Sequence, residues 1–178
     1  MIAPRAFLPP MSPGIPTSRH LEYAKGYLGL GLFNEAADEL ELIDREDRLS
    51  TRVLLVRCSL YMAVKQWDMV DAMAKVITVR EPALEQPWLH WAYALRRLTG
   101  ITDAKATLLA AEAHHGATSA TLHFNLGCYE SLLWDQVEAR RRVGIACKMD
   151  EKFKALALDE PDLKGMWEDS ADTGELTS

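Results

Sequence analysis

One pattern of small and large residues returns four times along this chain at almost constant spacing. Gly31 to Ala36, Lys65 to Val70, Thr99 to Ala104 and Trp134 to Ala139 fill the same pair of positions, with successive starts 34, 34 and 35 residues apart. A period of 34 is the length of one helix–turn–helix hairpin. A single hairpin cannot bury its own apolar stripe, so the repetition predicts hairpins stacked side by side and sharing their cores. The expected class is all-α.

Each repeat can be numbered from 1 at Thr17, Thr51, Glu85 and Ala120. The first has Ala24, Tyr27, Gly31, Ala36 and Leu40 at positions 8, 11, 15, 20 and 24, and the second has Leu54, Cys58, Tyr61, Val70 and Pro82 at 4, 8, 11, 20 and 32. The third has Trp88, Ala92, Leu95, Ala104, Leu108 and Ala111 at 4, 8, 11, 20, 24 and 27. The fourth carries Leu126-Gly127 at 7 and 8, then Ala139, Val143 and Ala146. Small residues at 8, 20 and 27 suit the close crossing of two helices, where a bulkier side chain would push the backbones apart. Large residues at 4, 7, 11 and 24 fill the space between hairpins.

Over roughly residues 17–151 these positions resemble the tetratricopeptide repeat (TPR) family. The pattern departs from the family at Glu130, which replaces the aromatic at position 11, and at position 7, where Tyr23, Arg57 and Trp91 stand. The resemblance implies a right-handed α-solenoid of about four hairpins. The predicted repeats are 17–50, 51–84, 85–118 and 120–153, within a repeat domain spanning 18–149. Residues 150–168 should form capping helices, because a solenoid needs its last hairpin covered. The stretch Ala155–Trp167 resembles extensions that follow the last repeat in many bacterial TPR proteins, with Leu156, Leu158, Leu163, Met166 and Trp167 as the covering residues.

Turn signals agree with this division. Pro82 and Pro87 bracket the second junction, and Asp68, Thr102 and Asp135 stand where second helices should start and be capped. Gly116 suits a helix C-cap. One extra residue in His114–Ala120 accounts for the 35-residue spacing. Residues 1–17 carry five prolines and predict an extended arm, not a convincing signal peptide. Residues 169–178 predict an acidic, disordered tail.

The formal net charge is −6, unlike a chain built to coat nucleic acid. Residues 150–178 hold nine acids against three lysines, while residues 1–149 hold seventeen charges of each sign. Cys58, Cys128 and Cys147 are too far apart and too few for a disulfide framework, and read as buried small hydrophobes in a reducing, cytoplasmic setting. No run reaches membrane-spanning length, so no membrane or nucleic-acid partner is expected.

Motifs that would carry chemistry are missing. Gly26, Gly29 and Gly31 lack the spacing and the preceding strand of a phosphate loop, and no H-E-x-x-H, G-x-S-x-G, Walker or C-x-x-C string occurs. His114, His115 and His123 have no ligand partner at metal spacing, and His90 between Trp88 and Trp91 reads as packed. Arg140-Arg141-Arg142 reads as a solvated outer face. The expectation is no catalytic residue, no cofactor and no metal, hence not an enzyme.

The family resemblance implies that the first helix of each hairpin lines a concave groove, chiefly through positions 2, 5, 9, 12 and 13. The predicted lining is Leu21, Lys25, Leu28, Arg52, Leu55, Ser59, Met62, Leu89, Tyr93, Arg96, Arg97, Phe124 and Cys128. An apolar track beside four cations suits an amphipathic or acidic segment of a protein partner. The residues that some TPR proteins use to clamp a chaperone C-terminus are absent, since Leu21, Lys25, Val56, Gln86 and His90 stand in those places. The function expected is a scaffold or adaptor, with a secretion-type or assembly chaperone, and then a small-ligand-binding regulator or enzyme, as alternatives. A homodimer is compatible with the sequence. The acidic tail, Glu168 to Glu175, is expected to compete for the basic groove.

Overall fold

The same backbone hydrogen bond closes every hairpin. The N–H of Leu32 donates to the carbonyl of Tyr27 (2.9 Å), Gln66 to Tyr61 (2.9 Å), Gly100 to Leu95 (2.9 Å) and Asp135 to Glu130 (3.0 Å). These eight residues are positions 16 and 11 of the four repeats. A bond spanning five residues ends a helix in a tight reversal, and that reversal needs one residue at positive φ. Gly31 (φ 74°), Lys65 (59°) and Trp134 (68°) supply it at position 15. In the third repeat position 15 is Thr99, whose branched β-carbon resists that conformation. Thr99 stays at φ −121° and Gly100 takes φ 119° instead.

The computed structural model describes residues 15–171. The expectations for the Pro-rich arm up to residue 14 and for the tail beyond 171 lie outside these residues. Four hairpins follow one another: α1 (Thr17–Gly29) with α2 (Phe33–Glu41), α3 (Thr51–Ala63) with α4 (Trp67–Arg80), α5 (Glu85–Leu98) with α6 (Ile101–His115), and α7 (Ala120–Leu132) with α8 (Gln136–Met149). Then come α9 (Lys152–Asp159), a 3₁₀ turn (Pro161–Leu163) and α10 (Lys164–Ala171). The described chain is an all-α solenoid. α1 touches α3, α3 touches α5, and α5 and α7 wall one cavity, so the first helices of the four hairpins share one face, called here the inner face.

The crossing positions are sealed. Ala24, Cys58 and Ala92 at position 8 are buried, as are Ala36, Val70, Ala104 and Ala139 at position 20. So are Ile43, Ile77, Ala111 and Ala146 at position 27. The tightest site is Gly127, where an added Cβ would lie 2.7 Å from Val143 Cγ2 and 3.3 Å from the Ala139 carbonyl. Three cores lie between neighbouring hairpins, and the last one includes Phe153, Ala157, Leu163 and Met166 of the C-terminal helices.

Several expectations are corrected. Asp135 does cap α8, accepting from the N–H of Glu138 at 3.0 Å, but Asp68 and Thr102 sit inside the first turns of their helices, which begin after Gln66 and Gly100. Ser119, not singled out above, caps α7 by accepting from the N–H of Leu122 at 2.9 Å. The extra residue of the third repeat lengthens α6, with 15 residues against 14 in α4 and α8. Leu156 and Leu158 are exposed; Phe153 and Ala157, spaced four apart on the buried side of α9, cover the core with Leu163 and Met166. α10 runs through Ala171, into the stretch expected to be tail.

Buried charge explains other departures from the repeat. Glu130 is buried at position 11, where Lys105 of the preceding hairpin donates to it at 2.6 Å. The arginine triplet is not a solvated face. Arg142 is buried and donates to Glu112 (2.5 Å) on α6 and to Glu138 (2.8 Å) on its own helix. Arg140 donates to the Met166 carbonyl at 3.2 Å, and only Arg141 is largely exposed, paired with Glu138 at 2.5 Å. Hydrogen bonds from Arg141 and then Arg142 hold the Glu138 carboxyl down to about 2. The hydrogen bond from Arg142 likewise lowers Glu112.

Two measurements test these assignments. Gly127→Ala should destabilise by about 1–3 kcal/mol through overpacking. Trp134→Gly should relieve left-handed backbone strain at an 85% exposed residue and stabilise by roughly 0.5–1 kcal/mol. Thermal melts followed by circular dichroism should therefore move down by several degrees for the first and up by about 2 °C for the second. The second measurement is acid unfolding. A depressed carboxylate contributes stability that is present above its unfolded value, about 4.3, and is lost as the pH falls toward its folded value. The urea midpoint should fall between about pH 5 and pH 2.5, and fall less steeply in Glu138→Gln, which starts less stable at pH 7. Parallel curves would remove Glu138 from the acid response.

Candidate functional site

The inner face is divided into two parts of different character. The open part spans the first three hairpins. Lys25 and Leu28 of α1, Arg52, Leu55, Val56 and Ser59 of α3, and Gln86 of α5 surround a cavity of about 200 Å³. Its floor is Leu28, Leu55 and Val56, half-buried or buried, and its rim carries the exposed Lys25 and Arg52. Lys25 has no carboxylate partner among the described residues. Arg52 faces Asp47 at 3.3 Å, with both side chains largely exposed, a geometry that stabilises by at most about 1 kcal/mol. Ser59 directs its hydroxyl proton to the Leu55 carbonyl at 3.1 Å. Among the described residues no carboxylate lines this cavity.

The second part lies over the third and fourth hairpins and is walled in part by the chain's own C-terminal segment. Pro161 starts the 3₁₀ turn, and Glu160 before it accepts from the N–H of Asp162 at 3.2 Å. That turn aims the Asp162 carboxylate at α5, where Arg96 donates to both of its oxygens at 2.6 and 3.0 Å. This is a bidentate guanidinium–carboxylate pair, among the strongest polar contacts available to side chains. Arg96 also lies over the Tyr129 ring, 5.8 Å from its centre. The pairing with Asp162 raises the guanidinium's pKa. A cavity of about 320 Å³ remains here, walled by Tyr93, Arg96, Arg97, Phe124, Asn125, Cys128, Tyr129 and the segment 160–162.

The thirteen residues expected to line one groove therefore separate. Lys25, Leu28, Arg52, Leu55 and Ser59 come together in the open part. Tyr93 and Arg97 are exposed beside the cap, with the Arg97 guanidinium donating to the Tyr93 hydroxyl at 2.9 Å and lying over its ring. Met62 and Leu89 are half-buried and lean on the second and third cores. Leu21, Phe124 and Cys128 are core residues. Leu21 belongs to the first core, and the Phe124 ring packs on Phe153 of α9 at 4.9 Å between centres. Burial pushes the Cys128 thiol well up, and Cys58 up to about 12, so neither is a ready thiolate. Arg96 is already engaged by Asp162.

The remaining candidates also have structural occupations. His115 sits within 3.0 Å of the Pro82 carbonyl, and His123 within 2.7 Å of the Gly116 carbonyl while Arg142 donates to its other ring nitrogen at 3.2 Å. His90 is held between Cys58 and Gln86, and burial lowers its pKa. Among the described residues no three His, Cys, Asp or Glu converge as metal ligands, and no described helix is long and apolar enough to cross a membrane. Sequence reasoning missed Asp162. The available signal was the string Glu160-Pro161-Asp162-Leu163, in which a capped turn places an acid next to a buried leucine.

No protein-family model matches the chain, and no curated protein matches it. Solved structures do. The crystal structure of MamA superposes with a TM-score of 0.70 at 14% identity, covering 88% of this chain and 86% of that one. TTC0263, a thermophilic TPR protein in Thermus thermophilus, gives 0.67 at 17% identity, covering 88% and 89%. With the four hairpin closures and sealed crossings described above, these likenesses establish that the chain has the fold of a tetratricopeptide-repeat solenoid.

Proposed function

We propose that the protein is a non-catalytic adaptor that binds a segment of another protein on the inner face of its first three hairpins. The observation that carries this reading is the open cavity itself. Among the described residues it has an apolar floor, two rim cations and no internal carboxylate, whereas the cavity further along the same face is walled in part by the chain's own C-terminal turn, whose Asp162 already engages Arg96. An apolar centre with a charged rim is the usual anatomy of a protein-recognition surface. The TPR-solenoid fold supports the class of function, and the choice of the first three hairpins rests on where the face carries cations that no lining carboxylate already engages. The scaffold reading requires no reacting group, in keeping with the raised thiols of Cys58 and Cys128.

The position of Asp162 decides which variants are informative. Reversing Arg96 would detach the cap as well as alter the face, so loss of binding would be ambiguous. Lys25→Glu/Arg52→Glu touches only exposed groups and should leave the fold intact. Partners captured from the native lysate by wild type, by this variant and by Arg141→Glu should be compared, with circular dichroism as a check on folding. A protein retained by wild type and Arg141→Glu, but reduced at least about tenfold by Lys25→Glu/Arg52→Glu, is the expected result. Equal capture by all three would move recognition off this face.

A further inference from the structure

The C-terminal turn shows what chemistry the inner face accepts. Its acid, Asp162, meets a groove guanidinium in a bidentate contact, and its next residue, Leu163, is fully buried in the adjoining core. The grip therefore has two points, one carboxylate and one aliphatic side chain on consecutive residues. The open cavity offers the same two elements. Lys25 and Arg52 supply cations, and Leu28 with Leu55 supplies the apolar floor.

From this, and resting on the adaptor reading above, we infer that the partner segment carries an acidic residue followed by an aliphatic one, a chemical copy of Asp162-Leu163, with the acid on Lys25 and Arg52. Charge complementarity selects this occupant. Among the described residues two cations and no acid line the cavity, so a neutral or basic segment would desolvate them without a partner. Arg52 has only one long ion pair, to Asp47, to give up, and Lys25 has none among the described residues. An incoming carboxylate therefore makes charge-assisted hydrogen bonds while displacing little. The aliphatic residue beside it removes Leu28 and Leu55 from water.

The test uses the full chain and a synthetic probe with the sequence of residues 159–164, Asp-Glu-Pro-Asp-Leu-Lys, blocked at both ends. Two-dimensional NMR of the labelled protein should show peptide-dependent shifts at Lys25, Leu28, Arg52 and Leu55. Replacing the second Asp of the probe by Asn should weaken binding about tenfold, and replacing its Leu by Ser should weaken it similarly. Lys25→Glu/Arg52→Glu should abolish the shifts, and raising the salt should weaken them. Three results would overturn the inference: no shifts at millimolar probe, equal binding of the Asn probe, or shifts confined to the residues around Asp162. Tighter probe binding to a chain ending at Ala171 would also overturn it, because the chain's own final residues would then be the occupant. If lysate capture depends on Lys25 and Arg52 while the Asn probe binds as well as the Asp probe, the adaptor reading stands and only this inference fails.

Discussion

A helical hairpin has more apolar surface than its own two helices can cover, and the rest of the structure follows from that. Each core is shared by neighbours, which is why Ala92 and Ala104 of the third hairpin pack in one cluster with Leu122 and Leu126 of the fourth. The last hairpin has no following neighbour. Phe153, Ala157, Leu163 and Met166 take the neighbour's place, and full burial of side chains such as Phe, Leu and Met stabilises by roughly 1.5–3 kcal/mol each. The C-terminal helices are therefore part of the folding unit.

That stabilisation has a consequence for function. To bury Leu163, the chain must turn at Pro161, and the turn delivers Asp162 onto Arg96. A contact that closes the end of the solenoid thus also engages Arg96 on its inner face. The expectation that the acidic tail competes for the groove falls mostly on residues outside those described. The acid actually seated there is anchored by its buried neighbour, while Glu168 faces Lys164 on its own helix at 3.7 Å. On the proposed reading, binding falls to the first three hairpins, where Lys25 and Arg52 are exposed.

The repeat was legible because its constraints are local and recur. Positions 8, 20 and 27 must be small or buried in every hairpin, and four copies in register make the pattern readable. The turn was legible at Gly31 but less so at Lys65 and Trp134, which adopt positive φ against their own preference because the closing hydrogen bond and the sealed crossing on either side demand it. The groove was only half legible. Position in the repeat says which helix face a residue occupies, and it placed Lys25, Leu28, Arg52 and Leu55 together. It cannot say what packs over that face. Phe124 and Cys128 hold groove positions in the repeat and wall the cavity there, yet both are buried because α9 and the turn at 160–162 lie against them. Arg142 was misread, and the role of Glu130 was not legible, for a similar reason: their partners, Glu112 and Lys105, come from the preceding hairpin at no fixed sequence offset.

Hydrogen exchange of the free protein tests the central claim most directly, because that claim is that the C-terminal turn is a fixed part of the inner face. If it is, the amides of Leu163 to Trp167 should open together with those of α7 and show protection within about tenfold of it. Exchange of that segment at nearly unprotected rates, with α7 still protected, would show that the turn lifts away on its own. The face over the third and fourth hairpins would then be open to partners, and the division of the groove described here would be wrong.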